Sequence, residues 1–580
     1  MSHKTQNNAP CWGSDAIAKT LNELDLRYIA LNPGASYRGL HDSLVNFTHN
    51  DPQLLLCVHE EAAVAIAHGY AKVTGRAMGV ALHSNVGLMH GSMGIYNVWC
   101  DRVPMLILGA TGPVDATHRR SWIDWIHTSQ DQGSLIRDFV KWDDQPGGVT
   151  ATLHALVEGV SRAGTAPRGP VYINIDSALQ EKALDAPLPD IDIARRGAPR
   201  AGAPAPDLVK VAAKLLSDAE KVVVLMGRMS RSATDWKLRI ALIERLGAQV
   251  VTDFKTGATF PSAHVANVGR AGYFPDTQAK TAIAEADVIV NFDWLDFGGT
   301  LRSVFGDRPV PAKIISATLD VHNHRGWVKD GGAPAPADVA FLNEPDQVVA
   351  ALAEALEARV PDPVPVLPIP AEIENGPMTP QDIAAIVRSA LGKRSACLIR
   401  APLSWTGEDW PVDNPYGSLG YDGGGGIGSG PGMAVGAALA LRDEKSKLLA
   451  LAVLGDGDFL MNASAIWTAV NQSIPLLIVV VNNHSFYNDE VHQESVARER
   501  NRPVENKHVG IVMNGPDIDV SSIAQGFGAV SYGLLSSPDE VKKAMIDALD
   551  VFDSGGVAVV EIEAAKGYAP SMENAMRSPG

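Results

Sequence analysis

Short apolar, β-like runs alternate with longer helical stretches along almost the whole chain, and this alternation limits the fold more than any other feature. Residues 29–31, 54–58, 78–82 and 105–108 read as strands, and Glu60–Thr74 reads as a helix. Strands separated by helices are joined by crossovers, which lay them parallel in one sheet with helices on both faces. In that architecture reacting groups gather at the carboxyl ends of strands. The expected fold class is therefore α/β, with parallel sheets flanked by helices.

Two interruptions divide the 580 residues into three units of similar size. The first unit ends near GPVYINID (residues 169–176), before RRGAPRAGAPAP (195–206), whose repeated Pro and Ala favour an extended connection. A second unit carries strand-like runs at 221–227, 249–254, 286–292 and 313–320, and it ends before VPDPVPVLPIPAEIENGP (360–377). A third begins where Thr379, Pro380 and Asp382 resemble the start of a helix. The expected domains are residues 1–190, 205–355 and 375–580.

Composition narrows the partners. The chain has 49 Lys and Arg against 66 Asp and Glu, a formal net charge of -17, which argues against a nucleic-acid surface because phosphate binding needs clustered cations. At 46% apolar and 20% charged residues, it has the material of a compact soluble protein. The longest apolar runs, 448–454 and 474–481, fall short of the roughly 20 residues that span a bilayer, and MSHKTQNNAPCWG lacks the apolar core of a signal peptide. A cytoplasmic protein with neither nucleic-acid nor membrane partners is expected. Cys11, Cys57, Cys100 and Cys397 form no CxxC pair and read as buried thiols.

The chemistry concentrates in LLALAVLGDGDFLMNASAIWTAVNQSIPLLIVVVNNHSFYND (448–489). One apolar strand delivers Gly455, Asp456 and Gly457, and a second delivers Asn482 and Asn483. Asp456 and Asn483 offer the hard oxygen ligands that suit Mg²⁺ or Ca²⁺ when phosphate completes the coordination. Gly455 and Gly457 permit close backbone approach to that phosphate. Singly, the Asp also reads as a helix cap and the Asn as a strand-end turn. Upstream, the amides of YDGGGGIGSGPGMAVGAALA (421–440) are placed to hold a diphosphate, and AVGAALAL reads as a helix packed closely through Ala and Gly. In LLLCVHEEAAVAIAHGYAKVTG (54–75) a strand runs directly into a helix whose first turn bears Glu60 and Glu61.

The GDG to NN spacing resembles the cofactor motif of thiamine diphosphate-dependent enzymes. The whole chain resembles their three-domain superfamily, which includes acetolactate synthase, benzoylformate decarboxylase and 2-hydroxyacyl-CoA lyase. The resemblance implies pyrimidine-binding, central Rossmann-like and diphosphate-binding domains. It implies Mg²⁺ held by the side chains of Asp456 and Asn483 and the backbone carbonyl of Ser485, with Gly34, Gly428, Gly455 and Gly457 against the cofactor and Ile427 beneath its two rings. Glu60, nine positions before the Gly69 of GYA, is implied as the carboxylate that bonds the aminopyrimidine N1′. Glu61 is left to helix N-terminal electrostatics. His484 stands where relatives commonly have Gly. A homodimer or homotetramer is also implied, with sites between residues 1–190 of one chain and 375–580 of another.

Further residues bear on the substrate. LNPGASYRG (31–39) resembles the NPG loop of benzoylformate decarboxylase and its relatives, which sets Gly34, Ala35 and Ser36 beside the reacting carbonyl. ALHSNVGLMHG (81–91) resembles their LHS segment, making His83 the acid–base candidate, while His90 is read as bonding helix backbone. No counterpart to their second active-site histidine stands near Phe305. After the metal motif, Asn488, Glu490 and His492 are pocket candidates on a stretch that also reads as a plain surface helix. Trp122, Trp125 and His127 form either an aromatic wall or a domain interface.

In the middle unit Gly227, Arg228, Met229 and Ser230 follow the first strand without the GxGxxG of a dinucleotide site, so FAD is not expected. ADP or CoA stays open, with Arg228 and Arg302 as phosphate partners. The implied activity is decarboxylation of a 2-oxo acid, or carboligation, of a small carbonyl substrate through a C2 ylide and an enamine. An acetolactate synthase-like enzyme, a 2-hydroxyacyl-CoA lyase and a noncatalytic thiamine-binding scaffold remain the alternatives.

Overall fold

Three parallel sheets follow one another along the chain. The computed structural model of the protein describes residues 9–320, 335–361, 363–365, 378–568 and 572–573. The first sheet contains β1 (Tyr28–Leu31), β2 (Gln53–Leu56), β3 (Met78–Leu82), β4 (Met105–Thr111), β5 (Trp142–Asp144) and β6 (Pro170–Asp176), in the order β2-β1-β3-β4-β6-β5. Every pair in it is parallel, with Leu31 opposite both Leu56 and Ala81. Its central strands β3, β4 and β6 are buried along their whole length, which is why they read as continuous apolar runs rather than as an alternation.

The second sheet contains β7 (Val222–Met226), β8 (Gln249–Thr252), β9 (Val288–Phe292), β10 (Lys313–Ala317) and β11 (Val339–Phe341), ordered β11-β10-β9-β7-β8. The third contains β12 (Ala396–Arg400), β13 (Leu449–Gly455), β14 (Leu476–Asn482), β15 (Val530–Leu535) and β16 (Val557–Glu563), ordered β12-β13-β14-β16-β15. β14 is buried at all of its positions, and each large aliphatic side chain there contributes about 1.5–3 kcal/mol by leaving water. The helix opening the third sheet's segment, Pro380–Leu391, starts where expected, with Pro380 in its first turn. Thr379 and Asp382 cap it reciprocally, each accepting the other's backbone N–H.

By contacts the chain divides into two compact units: Met1–Arg200 with Asp422–Glu444 and Asn462–Ile474, and Ala201–Tyr421 with Lys445–Met461 and Pro475–Gly580. The helix Gly430–Asp443 therefore belongs with the first sheet, because it lies along Glu60–Thr74 at a distance only glycine permits. A Cβ on Gly69 would overlap the Met433 carbonyl oxygen, one on Gly436 would overlap that of Ile66, and one on Gly432 would sit 2.5 Å from Ala65 Cβ. The GYA glycine of the sequence is thus a helix-packing residue.

The connection at 195–206 is largely exposed coil, but its last residue, Pro206, already opens the helix Pro206–Asp218. The second boundary, 360–377, lies mostly outside the described residues. Of the cysteines, Cys57 and Cys397 are buried, and burial pushes both thiols up to about 12. Cys11 is exposed and Cys100 half-buried, so the reading of all four as buried thiols is corrected for those two. The cause at Cys11 is its place just before the first helix, Gly13–Glu23, outside the packed core. Among the described residues no helix is long and apolar enough to cross a membrane.

Candidate active site

Adjacent strands β1 and β3 bring two separate sequence motifs together at their carboxyl ends. Beyond β1 the chain passes Gly34 and turns at Ala35–Tyr37; beyond β3 it delivers His83, the N-cap of the helix Ser84–Asp101. A Cβ on Gly34 would overlap the His83 ring, so glycine is required there. Ser36 Oγ lies 2.7 Å from His83 Nδ1, which leaves Nε2 as the ring nitrogen free for chemistry. His127 meets His83 edge-on with ring centroids 4.9 Å apart. His83 is pushed below the usual histidine range first by burial, then by His127 and Arg120, against the opposing charge of Glu60. Ala35 is exposed and Ser36 buried.

Glu60 is the first residue of its helix and is buried. His59 caps that helix, its Nδ1 accepting the Glu61 N–H at 3.1 Å, and Glu61 shares the first turn. Glu60 Oε2 lies 3.1 Å from His90 Nδ1, while Oε1 faces Gly87, where a Cβ would come within 3.3 Å. His90 therefore bonds Glu60, correcting its reading as a partner of helix backbone. It stands 30 residues from Glu60, and close packing of the two helices, not local sequence, brings the pair together. The His90 ring stacks on His59 at 5.2 Å, and His59, Glu60 and His90 offer ligand atoms within 4.8 Å of one another. His59 gave no signal in sequence, because helix-capping histidines have no distinctive spacing.

In the other unit, β13 delivers Gly455 and Asp456, which opens the short helix Asp456–Met461, and β14 delivers Asn482. Asp456 is buried; the Gly457 N–H donates to Oδ1 at 2.9 Å, and Oδ2 is buried without a hydrogen-bond partner. Burial pushes the Asp456 carboxyl up, against the pull of the Gly457, Ser485 and His484 amides. The two asparagines separate in role. Asn482 donates to Glu561 Oε1 at 2.8 Å inside the core, whereas half-buried Asn483 accepts the Ser485 N–H at 3.0 Å and keeps a second lone pair. His484 has φ of +55°, the conformation glycine adopts readily, so the loop holds its turn at a cost of about 1–2 kcal/mol. A Cβ on Gly457 would strike the Phe486 ring at 2.6 Å, while one on Gly455 would meet nothing within 4 Å. An unpartnered buried carboxylate oxygen, an amide oxygen beside it and open space over a glycine fit a hard divalent cation with a phosphate.

Of the glycine-rich residues, Gly428 has φ of +101° and precedes the N-terminus of Gly430–Asp443, and half-buried Ile427 sits in the same turn. A family model described as thiamine pyrophosphate enzyme, N-terminal TPP binding domain, matches residues 11–135. Models of the central domain and the C-terminal TPP binding domain of the same enzymes match 209–323 and 403–562.

The chain belongs to the thiamine diphosphate-dependent enzyme superfamily.

As a member of that superfamily, it is 26% identical over 451 residues to benzoylformate decarboxylase of Pseudomonas aeruginosa, covering 75% of this chain and 80% of the relative. It is 24% identical over 517 residues to the acetolactate synthase large subunit of Lactococcus lactis, covering 86% and 85%. Among solved structures, benzoylformate decarboxylase from Polynucleobacter necessarius superposes with a TM-score of 0.79 at 20% identity, over 97% of this chain and 100% of that one. The thiamine diphosphate-dependent 4-hydroxybenzoylformate decarboxylase of Rhodococcus jostii gives 0.76 at 20%, over 97% and 100%. These structural likenesses establish the three-domain α/β fold.

The remaining candidates of this superfamily member divide. Glu490 is buried, bonded to Ser485 Oγ and paired with Lys566. Burial alone would raise its carboxyl, but Lys566 and Ser485 bring it below the usual range. Its carboxylate is thus held by a partner 76 residues away in sequence. On the same helix, Tyr487–Glu499, Asn488 is half-buried and His492 exposed. Trp122 and Trp125 are exposed and do not pack an interface within the chain. At the end of β7, Arg228 lies 3.6 Å from Asp293 and 3.8 Å from Asp320, and Arg302 lies 3.6 Å from Asp307.

Proposed function

We propose that this protein is a thiamine diphosphate- and Mg²⁺-dependent decarboxylase or carboligase acting on a small 2-oxo acid, as a homodimer or homotetramer with domains at residues 1–190, 205–355 and 375–580. The observation that carries the reading is the contact of Gly34 and Ser36 with His83, a ring close enough to Glu60 for its charge to act on the imidazole. A residue able to move a proton thus lies in the same compact unit as the carboxylate that the resemblance assigns to cofactor activation.

When bound, thiamine diphosphate supplies an electron sink for the carbon that loses its carboxylate. The side chains of Asp456 and Asn483 and the Ser485 carbonyl would hold the metal, and backbone at Gly34, Gly428, Gly455 and Gly457 would approach the cofactor, with Ile427 supporting its rings. Glu60 would meet the aminopyrimidine through Oε1. His83, kept neutral near pH 7, accepts or returns a proton at the reacting carbonyl through Nε2, while Ser36 occupies its Nδ1. Ala35, Ser36, Asn488, Glu490 and His492 are the candidates for contact with substrate.

Two carboxylates hold Arg228, and negative charge at the ends of β9 and β10 opposes a phosphate, which supports a central sheet acting as a spacer rather than an ADP, CoA or FAD site. That weighs against the acyl-CoA lyase reading. Purified protein given thiamine diphosphate, Mg²⁺ and a panel of 2-oxo acids, aldehydes and 2-hydroxyacyl-CoA esters tests the proposal by mass spectrometry of products. CO₂ with an aldehyde or hydroxy ketone is expected; acyl-CoA cleavage without CO₂ contradicts it.

A further inference from the structure

The helices Glu60–Thr74 and Ser84–Asp101 approach closely because the second presents glycine to the first. A Cβ on Gly94 would sit 2.9 Å from Val64, one on Gly91 3.3 Å from the same side chain, and one on Gly87 3.3 Å from Glu60 Oε1. This spacing sets the His90 imidazole, itself open to solvent, against the buried Glu60 carboxylate at 3.1 Å. The two carboxylate oxygens are thereby made unequal: Oε2 is bonded to His90, and Oε1 lies over a residue without a side chain.

We infer that His90 is a positioning residue for Glu60, donating its Nδ1–H to Oε2 and so reserving Oε1 for the aminopyrimidine. The inference rests on the function proposed above.

The neighbours fit this role better than metal binding. His59 Nδ1 is committed to the Glu61 N–H, so the neutral His59 ring carries its proton on Nε2. His59 and His90 are stacked with their planes only 17° apart, so their in-plane lone pairs do not converge on one ion at the roughly 2.0–2.1 Å that zinc requires. The other titratable groups on the packed elements are His59 and Glu61 beside Glu60, Tyr70 farther along the first helix, His83 at the start of the second, with His127 and Arg120 near it, and Tyr96 and Cys100 along the second. Asp101 at the far end of that helix is bonded to His68 and Lys72, and Arg137 on the neighbouring turn is bonded to Asp131 and Asp143. On Gly430–Asp443, Arg442 and Asp443 engage Tyr28 and Arg27.

The test uses His90→Leu, which removes the donor, and His90→Asn, whose amide N–H stands where Nδ1 does but does not titrate. In cofactor-free protein, the side-chain nitrogen resonances of His90 are followed against pH, with and without Glu60→Gln. In protein loaded with thiamine diphosphate and Mg²⁺, exchange of the cofactor's C2 proton with solvent deuterium is followed over the same range. Expected are a shifted His90 titration in Glu60→Gln and exchange slowed about tenfold in His90→Leu, with thiamine diphosphate affinity kept within about threefold. His90→Asn should recover most of the rate. If His90→Leu fails to fold, His90→Asn and the titration still decide.

An unmoved His90 titration in Glu60→Gln, or unaltered exchange and pH profile in both His90 variants, overturns the inference. So does zinc that binds the cofactor-free protein and is lost in His90→Asn, because the cluster is then a metal site. Wild-type exchange in Glu60→Gln would instead refute the proposed function, whereas a dead Glu60→Gln beside normal His90 variants refutes this inference alone.

Discussion

Ser36 Oγ stands 2.7 Å from His83 Nδ1, so the hydroxyl occupies one ring nitrogen and leaves Nε2 as the other. Replacing Ser36 with Ala leaves Nδ1 without that partner and loosens the orientation of the ring. Ser36→Ala is expected to lower kcat about tenfold while leaving thiamine diphosphate affinity unchanged, read from steady-state kinetics and calorimetry. Equal losses in kcat and cofactor affinity would assign Ser36 to the fold instead.

Burial and His127 hold His83 below the ordinary histidine value of about 6.5. The acid limb of turnover set by His83 is therefore expected below that value, and His127→Phe should move it upward by removing a neighbouring charge. The same depression links to stability. The contribution of neutral His83 is complete above the unfolded value and is lost as pH falls through the folded one. Unfolding midpoints at pH 5 and pH 7 should therefore converge in His83→Gln.

Glycines with the same side chain serve two purposes. Gly69→Ala and Gly436→Ala push a Cβ into backbone carbonyls and should destabilise the protein by about 1–3 kcal/mol, seen in denaturant titration. Gly455→Ala meets no protein atom and should leave stability within about 0.5 kcal/mol while weakening thiamine diphosphate binding. A Gly455→Ala protein that binds the cofactor normally would remove Gly455 from the diphosphate site.

Asp456 carries a buried oxygen without a partner and a carboxyl raised by burial. Asp456→Asn should make the cofactor-free protein about 1 kcal/mol more stable and abolish the Mg²⁺ dependence of thiamine diphosphate binding. Retained metal dependence would place the cation elsewhere.

Much of this was legible because it is local. The helix Glu60–Thr74 is read to the residue from its apolar period and the strand before it, and β3 is read as residues 78–82 for the same reason. The three sheets follow from the alternation of short and long elements. The three-residue strand β11 escaped because it is too short to carry a period. The pairing of Glu490 with Lys566 was not legible because the two are remote in sequence, and the His90–Glu60 bond depends on how two helices pack. The grouping of Gly430–Asp443 with the first sheet is likewise tertiary: Gly69 marks it, but only once Met433 lies against it. At His484 the departure from glycine was visible, whereas the left-handed turn was not, because a histidine at φ of +55° is held by its surroundings: its N–H on Asn482 Oδ1 and its carbonyl on the Met513 N–H.

The most direct measurement of the central claim is release of labelled CO₂ from 1-¹³C 2-oxo acids by the wild-type protein and by Glu60→Gln, each with and without thiamine diphosphate and Mg²⁺. The account predicts CO₂ only from wild type with both additions, at a rate at least about a hundredfold above Glu60→Gln. Release that ignores the cofactor, or that survives in Glu60→Gln, would contradict it.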